Sequence, residues 1–129
     1  MKVLLDTHAF LWWIADDSSL SVVAREVIAD GENDIYLSAV SVWEIAIKAR
    51  AGRLTVFSED LDLFIERHVR ESSFLPLPIT LAHSTKIQAL SNHHRDPFNQ
   101  MLVAQSLTEG FPIISVDKMI HSYDVDVIW

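Results

Sequence analysis

The chain has 129 residues, half of them hydrophobic, with no cysteine and a formal net charge of -8. This length predicts a single domain over residues 1–129 that buries roughly two-thirds of the surface exposed by its unfolded chain. The lack of cysteine excludes disulfides and thiolate metal sites and is consistent with a location in the cytoplasm. The longest apolar run, Ala9 to Ala15, is far shorter than the roughly 20 residues that cross a bilayer, so no membrane segment is predicted.

The negative charge argues against nucleic-acid binding through a broad basic surface. Acids gathered in one pocket repel each other by about 4 kcal/mol per pair at about 4 Å in a surface-like dielectric, unless a divalent cation joins them. An acidic chain is therefore compatible with a metal-dependent nuclease that holds a polyanion locally.

Predicted strands and helices alternate along the chain. Short apolar runs predict strands at "KVLL", "DIYLS", "PIISVD" and "VDVIW". The segment "SFLPLP" is either an edge strand or an extended connector, because proline cannot donate to a ladder. Apolar spacings of three and four residues predict helices at "THAFLWWIA", "SSLSVVAREVIADG", "VSVWEIAIKARAG", "SEDLDLFIERHVRESS", "ITLAHSTKIQALS" and "DPFNQMLVAQSLTEG", with a helical turn at "KMIHSY". The alternation predicts an α/β fold, a parallel sheet with helices on both faces.

Four acids occupy the ends of strands or the starts of helices. Asp6 follows "KVLL" and Asp117 follows "PIISV". Glu44 lies on the helix after "DIYLS", and Asp96 begins its own helix. Because open parallel sheets bind ligands outside the carboxyl ends of their strands, we expect these acids to converge there. A hard divalent cation needs several oxygen ligands from different elements, so the set predicts a Mg2+ or Mn2+ site.

Each acid also has a purely structural explanation. Asp6, Asp96 and Asp117 stand where a helix N-cap is expected. Glu44 completes the capping-box pattern "SVWE" and precedes Lys48 by four residues, the favourable spacing for a helical ion pair. For any single acid, the sequence does not distinguish a helix cap from a metal ligand. Four unrelated caps, however, need not lie at the same edge of the sheet. Their joint placement favours the metal site.

The sequence resembles the PIN-domain ribonucleases, in particular the VapC-type toxins of bacterial toxin-antitoxin pairs. The matching segments are "KVLLDTHAFLWW", "LSAVSVWEIAIKARAGRL", "HHRDPFNQMLVAQSLTEG" and "PIISVDKMI", which together cover about half of the chain. The resemblance implies a three-layer α/β/α fold with a short, mainly parallel sheet. It also implies an endoribonuclease that uses Mg2+ or Mn2+ to cleave RNA, forms a homodimer and is neutralised by a small antitoxin.

The resemblance further assigns residues to the site. Asp6 matches the first acid of the family, Glu44 the second and Asp117 the last. At the third position this chain has Asn99 where an aspartate is usual, and Asp96 matches an extra acid of the "RDPF" branch. An amide offers a neutral oxygen to a hard metal but cannot act as a base. Asn99 therefore predicts weaker metal binding, which Asp96 offsets from within one helical turn, unless Asn99 is a deliberate replacement of aspartate.

On this hypothesis Asp6, Asp96 and Asp117 hold the metal, with Asn99 as a neutral ligand. Glu44 either binds the metal or orients the attacking water. The candidate substrate-binding residues are Ser115, Arg95 and Lys118. Other cations and histidines are more typical of solvated surface positions: Arg50, Arg53, Lys86, His8, His93 and His94.

Three tryptophans, Trp12, Trp13 and Trp43, are mostly core residues by their spacing. So much aromatic surface on a small domain also leaves room for a protein interface.

Three other classes of protein were compared with this pattern. A haloacid-dehalogenase-type phosphatase needs a second aspartate two residues after the first, where this chain has His8. A response-regulator receiver needs paired acids after its first strand, which "LLDTH" lacks. The remaining alternative is a PIN scaffold that binds RNA or a protein partner and has lost catalysis through Asn99. It is separated from the nuclease by whether Asp96 reaches the metal site.

Overall fold

The computed structural model describes residues 1–54, 60–92 and 95–129. Within these ranges one sheet has the strand order β3-β2-β1-β4-β5, and every neighbouring pair is parallel. The strands are β1 Lys2–Leu5, β2 Asp34–Ser38, β3 Leu75–Leu77, β4 Ile113–Ile114 and β5 Val127–Ile128. The predicted parallel sheet is confirmed, and "SFLPLP" supplies the edge strand β3, the first of its two predicted alternatives.

The described helices follow the predicted pattern. They are α1 Thr7–Ile14, α2 Val22–Ala29, α3 Ala39–Arg50, α4 Leu61–Glu71, α5 Leu81–Lys86, α6 Pro97–Glu109 and α7 Lys118–His121, with a 3-10 turn at Ile87–Ala89 after α5. The first two residues of the predicted fourth helix, and also His93 and His94, lie outside the described residues. Among the helices described, none is long and apolar enough to span a bilayer.

Side chains of the central strand β1 alternate between two hydrophobic clusters, as the pleat of a strand requires. Val3 and Leu5 face one side and Leu4 faces the other, all fully buried. The first cluster also contains residues of α1 and α2: Ala9, Phe10, Ala24 and Ile28. The second contains residues of α6 and α7: Leu102, Val103 and Ile120. The three-layer α/β/α architecture is therefore confirmed.

Three of the predicted site acids cap helices. Asp6 accepts a hydrogen bond from the Ala9 amide at 2.7 Å at the start of α1. Asp117 accepts from the Met119 amide at 2.8 Å at the start of α7. Asp96 begins α6, directly before Pro97. The structural role predicted for each of these acids is confirmed, and a capping carboxylate still has oxygen lone pairs for another ligand.

The capping box predicted for "SVWE" is wrong. Helix α3 begins three residues earlier than that pattern requires, because β2 runs directly into it and Ser38 is the N-cap. The Ser38 hydroxyl accepts from the Val40 amide at 3.0 Å and donates to Oε1 of buried Gln105 at 2.5 Å. This buried bond to α6 fixes the start of α3, which local sequence does not reveal. Glu44 consequently lies one turn inside the helix.

The order of the strands identifies one edge of the sheet as a binding crevice. From β1 the chain builds outward through β2 and β3 on one side, and then through β4 and β5 on the other. The order in which successive strands are added therefore reverses beside β1, which makes this position a topological switch point. In α/β proteins, ligands bind outside the carboxyl ends of the strands at such a switch point. Asp6 and Asp117 follow the two strands, β1 and β4, that meet there.

Candidate active site

Asp6 and Asp117 are connected through one buried hydroxyl. Ser115, fully buried after β4, hydrogen-bonds to the Asp6 carboxylate and accepts from the Asp117 amide at 3.0 Å. The backbone amide of Asp6 in turn donates to the Ile114 carbonyl at 3.1 Å. Pairing of β1 with β4 thus brings together two acids that are far apart in sequence.

The environment of Asp6 disfavours its charged form. The side chain is only 4% exposed, and this burial raises the pKa of its carboxyl. Hydrogen bonds from Ser115 and the Ala9 amide lower the pKa, as does nearby His8, whereas the charge of Asp117 raises it. Burial is the largest of these effects, so the pKa of Asp6 is raised. A cation placed between Asp6 and Asp117 would relieve both the desolvation and the repulsion.

Asn99 lies in the same cluster. Its Nδ2 donates to Oδ2 of Asp117 at 2.9 Å, and its side chain is half-buried. The Met119 amide donates to the other oxygen, Oδ1, so both oxygens of Asp117 accept hydrogen bonds. Rotating the Asn99 amide about its terminal bond exchanges nitrogen and oxygen, so the same position offers a neutral oxygen ligand.

Asp96 is connected to this cluster through the backbone of Asn99. Its Oδ1 accepts from the Phe98 amide at 2.9 Å and from the Asn99 amide at 3.3 Å, and the residue is exposed. The structure therefore places Asp96 next to the predicted ligands as a cap on the solvent side.

Glu44 is held by hydrogen bonds to both of its oxygens. It is only 7% exposed; Oε1 accepts from the Thr7 hydroxyl at 2.7 Å and Oε2 from Lys48 Nζ at 2.7 Å. The predicted ion pair with Lys48 is confirmed. Thr7 also lies 3.0 Å from the hydroxyl of Ser41. Because a hydroxyl has one hydrogen, Thr7 donates to Glu44 and accepts from Ser41. Thr7 directly follows Asp6, so this network joins Glu44 to the acid pair.

The other predicted residues lie at the surface. Arg95 and Lys118 are exposed neighbours of Asp96 and Asp117 in the chain. His8 is exposed, with its ring 5.5 Å from that of Trp12. The remaining predicted cations are also exposed: Arg50, Arg53 and Lys86. Trp12 and Trp13 are partly buried, whereas Trp43 is 49% exposed and contacts Phe98 edge-on at 4.9 Å.

In the part of the chain that the structure describes, no group of three or more His, Asp or Glu side chains is placed to hold a metal ion. Within this part of the chain, Asp6 and Asp117 share Ser115 as a hydrogen-bonding partner.

Comparison with known families decides the class of protein to which this site belongs. The family described as "PIN domain" matches residues 3–126. The chain belongs to the PIN-domain family. The resemblance predicted from the four sequence segments is therefore confirmed.

This PIN domain is similar to Ribonuclease VapC22 from Mycobacterium tuberculosis (strain ATCC 25618 / H37Rv). The two are 25% identical over 123 residues, which cover 94% of this chain and 91% of the relative.

Solved structures share the fold. VapBC2 from Rickettsia felis, bound to a DNA fragment from its promoter, aligns with a TM-score of 0.73 and 10% identity, over 98% of this chain and 97% of that one. VapBC-1 from nontypeable Haemophilus influenzae aligns with a TM-score of 0.68 and 13% identity, over 98% of this chain and 96% of that one. At this level of identity the likeness extends to the fold alone.

Two residues of this PIN-domain site were missed by sequence reasoning, namely Thr7 and Ser41. Thr7 was treated only as the first residue of a helix, and Ser41 as a cap. Ser41 and Glu44 are three residues apart on α3, a spacing that places both side chains on one helix face. That spacing was the available signal, but it did not reveal that Thr7 of α1 would lie opposite.

Proposed function

We propose that this PIN domain is a Mg2+- or Mn2+-dependent endoribonuclease that hydrolyses phosphodiester bonds in RNA and acts as the toxin of a toxin-antitoxin pair. The observation that carries the proposal is the convergence of Asp6 and Asp117 on Ser115 at the switch point of the sheet. The similarity to a VapC ribonuclease along nearly the whole of both chains supports RNA as the substrate.

The chemistry of the donor set fits a hard divalent cation. Mg2+ is commonly bound through one or two carboxylates, with water and substrate phosphates completing its ligands. Asp6 and Asp117 supply two carboxylates, and the raised pKa of buried Asp6 reports a charge that lacks sufficient compensation. Asn99 would add a neutral oxygen, and Asp96 would add charge from the start of α6. When bound, the metal supplies positive charge to phosphoryl oxygens and makes water nucleophilic near neutral pH.

The chain's own residues then have distinct tasks. Ser115 holds the Asp6 carboxylate in place and keeps the backbone of Asp117 beside it. Glu44 orients the attacking water, because it is a buried acceptor fixed by Thr7 and Lys48. Because Lys48 balances the negative charge of Glu44, Glu44 adds little repulsion toward an incoming phosphate.

We also propose a small antitoxin as the protein partner. Two structural neighbours of this chain were solved as VapBC2 and VapBC-1, which supports a paired toxin. An apolar groove of about 450 Å³ lies between α3, α4 and β3, with Val42, Val69 and Leu77 in its wall. Such a groove suits the apolar face of a partner helix. Exposed Trp43 and Leu81, 49% and 87% accessible, support a homodimer as a further proposal. We also propose that the protein acts in the cytoplasm.

A second candidate function is a PIN scaffold that binds RNA or a protein without cleaving it. The observation that favours it is the hydrogen bond from Asn99 to Asp117, which takes the place of a charged ligand. Under this alternative the two carboxylates bind metal too weakly for turnover.

The deciding experiment incubates purified protein with bulk bacterial RNA in Mg2+, Mn2+ or EDTA and sequences the new 5′ ends. Asp6→Ala serves as the active-site variant, and Asp34→Ala, at the amino end of β2, serves as the matched control. We expect defined cuts that need metal, disappear in Asp6→Ala and persist in Asp34→Ala. Cuts that survive EDTA or Asp6→Ala would overturn the site assignment. Stable RNA binding without cleavage at any metal concentration would favour the scaffold.

A further inference from the structure

We infer that Lys48 is the phosphate-binding cation of this active site, with Glu44 holding it in position for the RNA substrate. The inference rests on the proposed function but concerns a different residue from the exposed cations Arg95 and Lys118. It assigns to Lys48 a direct contact with a phosphate oxygen of bound RNA.

The position of Lys48 is set by a chain of short contacts that begins at Asp6. Thr7, the next residue after Asp6, donates to Glu44 Oε1 at 2.7 Å, and Lys48 Nζ lies 2.7 Å from Glu44 Oε2. Among the residues that the structure describes, Lys48 forms a short ion pair with the proposed site acid Glu44. Arg95 and Lys118 adjoin site acids in sequence and are exposed.

The ammonium group of Lys48 has hydrogen-bond donors to spare. Such a group carries three N–H donors, and within the described ranges Glu44 takes one of them. The Lys48 side chain is 32% exposed, whereas that of Glu44 is 9% exposed. The buried carboxylate therefore anchors the cation, and the partial exposure of the lysine side chain leaves its remaining donors available to a ligand.

The charge balance of the site explains why such a cation is needed. The chain carries a net charge of -8, and Asp6 and Asp117 place two carboxylates in the crevice. A phosphodiester approaching this edge meets repulsion that a metal ion at the acid pair offsets only locally. Lys48 supplies a positive charge that Glu44 holds in place, and Glu44 in turn accepts from Thr7, the neighbour of Asp6 in the chain.

The test measures RNA binding and cleavage in the same set of variants. Binding of a fluorescein-labelled single-stranded RNA is followed by anisotropy over a salt series, in an Asp6→Asn background that prevents cleavage. Lys48→Met removes the charge at similar length, Lys48→Gln is a second neutral variant, and Lys48→Arg restores the charge. Lys2→Met is the matched control, because Lys2 lies at the amino end of β1 over the Phe111 ring, on the opposite edge.

We expect Lys48→Met and Lys48→Gln to weaken binding about five- to tenfold and to lower the slope of log K against log salt by about 0.7, the value for one phosphate contact on a single strand. Lys48→Arg should retain the slope, and Lys2→Met should match the background. In the otherwise wild-type enzyme, Lys48→Met should raise KM more than it lowers kcat. Glu44→Gln should abolish cleavage, but its amide oxygen still offers Lys48 an acceptor, so the salt slope of binding should stay at the background value.

A Lys48→Met slope equal to that of Lys2→Met overturns the inference. A loss of kcat with an unchanged salt slope also overturns it and leaves Lys48 as a residue that only positions Glu44. These results are independent of the proposed function, because the binding series needs no cleavage. Absence of cleavage in the wild type, with a reduced slope in Lys48→Met, would reject the nuclease and still support the phosphate contact.

Discussion

Asn99 donates its side-chain N–H to Oδ2 of Asp117 across 2.9 Å, at the position where the resemblance implies an aspartate. A carboxylate in this position would face Asp117 without a donor between them. The amide therefore stabilises the metal-free site. Compared with an aspartate, however, it offers a metal ion one negative charge fewer.

Asn99→Asp tests whether the amide makes the metal-free protein more stable and makes metal binding weaker. We expect the free energy of unfolding in EDTA to fall by about 1–3 kcal/mol, because a hydrogen bond is replaced by like-charge repulsion. With Mn2+ or Mg2+ the variant should recover stability, and cleavage should rise roughly tenfold, equivalent to about 1.4 kcal/mol of barrier. Thermal melts with and without metal, and initial rates on a cleaved RNA, provide the measurements.

The matched control is Asn33→Asp, since Asn33 lies on the opposite side of the domain beside the N-terminal amine. It should show no metal-dependent gain. If Asn99→Asp melts like the parent protein in EDTA and gains no metal affinity, position 99 is not part of the metal site.

Asp6→Asn should stabilise the metal-free protein at neutral pH. Burial raises the pKa of Asp6, so the folded state holds a proton more tightly than the unfolded state does. Unfolding free energy therefore falls as pH rises from the ordinary carboxyl pKa through the raised one, by about 1.4 kcal/mol for each pKa unit. Asparagine is uncharged, so it does not carry the cost of burying a carboxylate, and its side-chain oxygen can still accept from the Ala9 amide. The gain over wild type should be present at neutral pH and disappear in acid.

Urea unfolding in EDTA across a pH series measures this difference. Asp34→Asn, an exposed change at the amino end of β2, provides the comparison and should show no gain that grows with pH. A lower stability of Asp6→Asn at neutral pH would mean that the Asp6 charge is better compensated than its burial indicates.

The sequence was sufficient to predict the elements that position the acid pair. Asp6 and Asp117 follow short apolar strands, and the rule for parallel sheets placed both at one edge. Pairing of β1 with β4 supports that prediction, because it brings Ser115 between the two acids. A short continuous apolar run was enough to predict β1, because that strand is buried on both faces.

Contacts between elements were not predictable in the same way. The start of α3 depends on the buried bond from Ser38 to Gln105, residues that lie 67 positions apart. The capping-box prediction failed because local spacing contains no information about that partner. Thr7 was missed for the same reason, since its hydroxyl meets Glu44 only after α1 and α3 pack together.

Asp96→Ser separates the two roles proposed for Asp96. Serine is a good N-cap, so the amides of Phe98 and Asn99 keep an acceptor and α6 should lose less than about 0.5 kcal/mol. If Asp96 supplies charge to the metal, cleavage at low Mn2+ should fall severalfold and recover at high Mn2+. Asp96→Ala should lose the cap as well, at about 1 kcal/mol.

Metal titrations of cleavage, paired with thermal melts, measure both effects. Asp60→Ser is a suitable control, because Asp60 begins α4 without a side-chain capping bond. A metal dependence in Asp96→Ser equal to that of the wild type would restrict Asp96 to its capping role.

Thr7→Val removes the hydroxyl that positions Glu44 while keeping the shape of the side chain. Glu44 loses a donor at 2.7 Å and Ser41 loses its acceptor, both in a buried region, so unfolding should require about 1–3 kcal/mol less. Because the released carboxylate can reorient, we expect kcat to fall more than KM changes. Thr7→Ser retains the hydroxyl and should recover most of the lost kcat. If the valine variant is destabilised yet keeps its kcat, Glu44 does not orient the attacking water, and Thr7 serves only the packing of α1 against α3.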